Sequence, residues 1–100
     1  MSTIRARFTA LQIGGLIRVA RLRASNTSQS AETCAAWWLV YDRLRTAVST
    51  ETLELDTIDA GTLADDLGDL CLLLRGTPDS TAIASMRGAI RKIRLAIEAA

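Results

Sequence analysis

Ile83, Met86, Ile90, Ile93 and Ile97 recur at intervals of three, four, three and four residues near the end of the chain. Only an α-helix puts that spacing on one face. The stripe needs a cover, because burying each of these side chains contributes about 1.5–3 kcal/mol before entropy is counted. It lasts barely two heptads, so it predicts a bundle seam and not a long coiled coil. The composition agrees. Hydrophobic residues make up 49% and charged residues 23% of the 100-residue chain, which excludes disorder. One proline and six glycines leave too few turns for a sandwich or barrel of short strands. The expected fold is all-α: a small helical bundle of three long helices plus one shorter acidic helix, forming a single domain over residues 1–100.

A first helix is predicted over residues 3–24. Ile4, Phe8, Leu11, Val19 and Leu22 share one face, and Ala6, Ala10, Ile13, Ile17, Ala20 and Ala24 share the opposite one. Polar ridges, Arg5/Gln12/Arg23 and Arg7/Arg18/Arg21, run between them. A surface helix needs a single apolar stripe, so two stripes predict a central position or a core on one side and a partner on the other. Ala6, Ala10 and Gly14 form a small-residue ridge where another helix can approach closely.

Residues 25–30 read as a polar linker, with Asn26 or Ser30 starting a second helix that runs to about Val48. Its core face holds Cys34, Trp37, Val40, Tyr41, Leu44 and Val48; Trp38 falls on the flank and Leu39 on the polar side. Residues 49–61 are ambiguous between a short helix and an extended link. Thr62 with Asp65 resembles a capping box, so a third helix is expected from about Leu63 to Arg75, with Thr57 the earliest start. Leu72 and Leu73 make its last turn apolar nearly all round, which predicts deep burial there. Gly76 then supplies a left-handed C-terminal position, and Thr77 with Pro78 opens the last helix.

Net charge is only +1, but the charges are segregated. Arg5, Arg7, Arg18, Arg21 and Arg23 occupy an acid-free N-terminal stretch; Glu51, Glu54, Asp56, Asp59, Asp65, Asp66 and Asp69 occupy a base-free middle. Arg87, Arg91, Lys92 and Arg94 make the C-terminal end basic again. The expectation is that Asp65, Asp66 and Asp69 pair with Arg87, Arg91 and Arg94 across antiparallel neighbours. Residues 1–30 have the composition of an organellar transit peptide, yet the segment is expected to be retained, and no secretory signal is read.

Catalysis finds little support. The chain has no histidine, which removes the commonest general base and metal ligand. Cys34 and Cys71 therefore lack an activating imidazole, and are expected to be reduced and buried. Asp65-Asp66-Leu67-Gly68-Asp69 has the spacing of the DDxxD motif of isoprenoid synthases, whose carboxylates hold magnesium. The match covers five residues, without a second acidic motif, in a chain too short for the cavity such chemistry uses. No zinc spacing or phosphate loop is present. No catalytic residue, metal or cofactor is expected.

The expected function is non-catalytic binding of another protein by a small helical regulator, adaptor or stoichiometric inhibitor. Cytoplasmic location is expected. By analogy of size alone, such chains are common products of bacterial mobile elements and phages. The expected contact residues are Ala10, Ile13, Gly14, Ile17, Trp38 and Leu39, and surplus apolar surface, including Leu72 and Leu73, predicts a homodimer. The alternative is an Arg-mediated nucleic-acid binder that uses Arg87, Arg91 and Arg94.

Overall fold

The segment predicted to open the first helix is a β-strand. Thr3-Ile4-Arg5-Ala6-Arg7 alternates polar and apolar side chains, a period of two. In the computed structural model, which describes residues 2–49, 51–76 and 80–100, strand β1 (Thr3–Arg7) pairs antiparallel with β2 (Thr52–Asp56). Ile4 stands opposite Leu55 and Ala6 opposite Leu53; Ile4, Leu53 and Leu55 are buried. On the outer face Arg5 stands opposite Glu54, with Nε and Oε2 3.8 Å apart. That exposed pair contributes at most about 1 kcal/mol and serves register. Residues 52–56 thus take the extended alternative, and the all-α expectation is corrected to a predominantly helical fold with one small sheet.

Helix α1 (Ala10–Ala24) begins where it does because Thr9 caps it. The Thr9 hydroxyl accepts from the Gln12 amide N–H at 3.2 Å, and Gln12 Oε1 accepts from the Thr9 N–H at 3.0 Å. This reciprocal box satisfies two donors that a helix start leaves free and stops α1 from extending into β1. Ser30 caps α2 (Ala31–Thr46), accepting from the Thr33 N–H. Asp56 caps α3 (Thr57–Leu73), accepting from the N–H groups of Ile58 and Asp59. The third helix therefore takes the early start, and Thr62 lies inside it, its hydroxyl donating to the Ile58 carbonyl. The acidic helix has 17 residues against 15 in α1, so it is not the short one. Gly76 has φ +90°, the left-handed conformation expected past the end of α3. Helix α4 spans Ser80–Ala99; the predicted cap at Thr77 and Pro78 lies outside the described residues.

Helix α1 is central, touching α2, α3 and α4. The sheet lies against α3 and α4, while α2 packs on α1 and on no other element among the described residues. The core joins Phe8, Leu16, Leu44, Leu63, Leu67 and Ile93, all but fully buried. Met86 and Ile93 of the last stripe are buried, and Ile83, Ile90 and Ile97 pack partly buried against the core.

Several burial expectations fail, each for a geometric reason. Val48, expected on the core face of the second helix, lies past the end of α2 and is exposed. Leu11 and Leu22 are exposed because α1 turns its Leu16, Val19 and Ala20 side inward. Leu72 and Leu73 are exposed because consecutive helical residues step about 100° round the axis. Leu70 is buried and Cys71 and Leu74 pack on the core, which leaves the next two leucines outside. The small-residue ridge does not form: Ala6 lies in β1, Ala10 is exposed, and a Cβ on Gly14 would meet nothing within 4 Å. The close approach falls at Gly15, whose added Cβ would lie 3.1 Å from Met86 Cγ.

Candidate functional site

The antiparallel neighbours expected to exchange charge do not. Asp66 of α3 pairs instead with Arg23 of α1, Nε donating to Oδ2 at 2.6 Å and Nη2 to Oδ1 at 3.0 Å. A two-pronged guanidinium–carboxylate contact fixes orientation as well as distance. The guanidinium also lies 5.8 Å from the centre of the Trp37 ring, so α2 is tied to the same side chain. The Asp66 hydrogen bond raises the Arg23 pKa further above its ordinary value, against partial desolvation and with help from the charges of Asp66, Asp65 and Asp69. Among the described residues, Arg87, Arg91 and Arg94 are exposed and make no ion pair.

The Arg23–Asp66 pair forms part of the lining of a groove of about 310 Å³ between α1 and α3. Val19 and Leu70 supply buried apolar lining, while Leu22 and Leu73 rise at its edges, 62% and 80% exposed. A second groove of about 290 Å³, lined by Ala10, Leu11, Gly14 and Arg18 of α1, reaches Met86 of α4. Both grooves are lined by Leu70, so they adjoin along one face. This face is concave, mainly apolar and crossed by one fixed ion pair.

The predicted contact residues are divided by the fold. Ala10 and Gly14 line the second groove. Ile13 is buried at 5% exposure and cannot touch a partner, and Ile17 is half-buried against the core. Trp38 sits on α2, its ring 5.3 Å from Tyr41 in an edge-to-face contact, and Leu39 is exposed on the same helix. Neither lines the two grooves. Leu11 and Leu22 belong to one of the two apolar stripes of the first helix, for which the sequence leaves open a core or a partner. Both are exposed, and they share a helical row with Gly14 and Arg18 at spacings of three and four.

Cys34 and Cys71 are free and half-buried, less covered than expected. Cys34 Sγ donates to the Asn26 carbonyl at 3.4 Å, and Cys71 lines a third groove with Arg75 and Arg87. Among the described residues no three His, Cys, Asp or Glu side chains converge to hold a metal ion. No described helix is long and apolar enough to cross a membrane. Protein-family models, curated proteins and solved structures yield no match to the chain.

Proposed function

We propose that this protein is a non-catalytic binding module for another protein, a regulator, adaptor or stoichiometric inhibitor that presents the α1–α3 face. The observation that carries this reading is the placement of Leu22 and Leu73 at the edges of one groove over the Arg23–Asp66 pair. Exposed leucines scattered singly need no explanation, but leucines grouped round a preformed apolar groove mark an interaction surface. Their exposure also means that replacing them leaves the core intact.

Affinity capture with mass spectrometry from cells of the source organism tests the reading. The unmodified chain is expected to retain a stoichiometric protein that Leu22→Asp/Leu73→Asp loses while keeping its helical circular dichroism. Equal retention by both chains would remove the α1–α3 face from the account.

One observation favours the second reading, nucleic-acid binding. Arg87, Arg91 and Arg94 stand without carboxylate partners among the described residues and can reach phosphates. Retention on DNA or RNA that falls steeply with salt, and is abolished by Arg87→Glu/Arg91→Glu, would replace the protein-binding reading with this one.

A further inference from the structure

The α1–α3 face carries opposite charges along its two edges. Arg18 and Arg21 are exposed on the α1 side. Asp65 and Asp69, one helical turn apart, are exposed on the α3 side. Among the described residues none of these four makes an ion pair within the chain. Arg18 and Asp69 are themselves lining residues of the adjoining grooves, so the charges border the apolar centre directly. Leu22 and Leu73 line the first groove together with Asp69, and both are exposed.

A partner of uniform charge would be attracted at one edge and repelled at the other. That disfavours a polyanion on this face and equally a wholly acidic or basic protein surface. A surface with a positive edge, an apolar centre and a negative edge is complementary to its own image. Rotation by 180° about an axis along the α1–α3 seam brings each basic edge over an acidic one. Rotation about an axis across the seam would set like charges together, so charge selects between the two arrangements.

We infer that the α1–α3 face binds a second copy of this chain about a two-fold axis along the seam, with Arg18 and Arg21 of one copy facing Asp65 and Asp69 of the other over Leu22 and Leu73. This rests on the proposed role of the face as a protein-binding surface, which a second copy fills in the isolated chain.

Sedimentation equilibrium of charge-reversed chains tests the pairing. Arg18→Glu/Arg21→Glu makes both edges acidic, and Asp65→Arg/Asp69→Arg makes both basic. Each alone is expected to dimerise at least about tenfold more weakly than the unmodified chain. An equimolar mixture is expected to form a heterodimer, because every edge then meets its opposite. Circular dichroism checks folding; should Asp65→Arg/Asp69→Arg disturb Arg23–Asp66 and unfold, Leu22→Asp takes its place and is expected to be monomeric. Dimerisation of either reversed chain as tight as that of the unmodified one would overturn the inference, as would a mixture that stays monomeric. An unmodified chain that is monomeric at several hundred micromolar overturns it too. In that last case the protein-binding reading still stands if Leu22→Asp/Leu73→Asp loses a captured heterologous partner.

Discussion

Gln12 shows how one side chain can join three elements. The sequence places it on a polar ridge, yet it is only 7% exposed. Its Oε1 accepts from the Thr9 N–H and from Lys92 Nζ at 2.8 Å, and Lys92 also donates to the Arg7 carbonyl at 2.9 Å. Lys92 Nζ further lies 5.7 Å from the centre of the Phe8 ring. The β1–α1 turn is thereby fastened to α4, beside Gly88, where an added Cβ would stand 2.7 Å from Gln12 Nε2. Gly88→Ala should push the Gln12 amide off these partners, a loss that the better helix propensity of Ala offsets only in part, for a net cost of about 1 kcal/mol. Gly14→Ala, with open space round its Cβ, should stabilise by about 0.5–1 kcal/mol. Thermal unfolding of the two variants checks both signs; a destabilising Gly14→Ala would contradict the exposed placement of that face.

Asp59 is a second residue-scale case. Burial, and then the charge of Asp56, pushes its carboxyl above the ordinary carboxylate value. A raised carboxyl holds its proton more tightly in the folded chain than in the unfolded one. The fold therefore loses stability as pH rises from the ordinary value through the raised one. Asp59→Asn should unfold at higher temperature than the parent at pH 7, with the difference shrinking toward pH 3. A variant destabilised at pH 7 would mean that the favourable position of this charge in the first turn of α3 outweighs its burial.

At the scale of elements, the long periodic signals were legible and the short ones were not. The Ile83–Ile97 stripe gives α4, and the two apolar faces of the first helix anticipate the central place of α1. The strands were harder, because Ile4 and Phe8 fit a helical spacing as well as an alternating one over so few residues. The deciding signal was Thr9-x-x-Gln12, a capping box that separates β1 from α1. The candidate site was less legible still. Which leucines remain outside depends on the angles at which helices meet, and a single helix pattern does not contain them.

The one-sided packing of α2 has its own consequence. Trp37 and Leu44 are its only buried side chains, and both anchor to the layer formed by α1. Helix α3, by contrast, buries five residues and touches α1, α4 and both strands. Local opening should therefore free α2 first. Amide hydrogen exchange is expected to show weaker protection across α2 than across α3; equal protection would mean that the two helices open together.

At the scale of the whole molecule, the Cα radius of gyration is 13.0 Å, the size of a compact chain of this length. Much of the charge segregation seen in the sequence survives folding as a property of the surface. Arg5 with Glu54 and Arg23 with Asp66 join basic and acidic segments inside the chain. Arg18, Arg21, Asp65 and Asp69 remain outside at the borders of the leucine face. The ion pairs within the fold and the charges left on the surface are thus different members of the same charged segments. This explains why net charge near zero carries so little information about the partner.

The central claim, that the α1–α3 leucine face serves association and not the fold, is tested most directly on one variant. Leu22→Asp/Leu73→Asp replaces two side chains that are more than half exposed. Its thermal midpoint and its sedimentation are to be measured side by side with those of the unmodified chain over a range of protein concentrations. At low concentration, where association does not contribute, the two chains are expected to unfold within a few degrees of each other. At high concentration only the unmodified chain is expected to dimerise. A variant that loses its fold, or one that still dimerises, would contradict the claim.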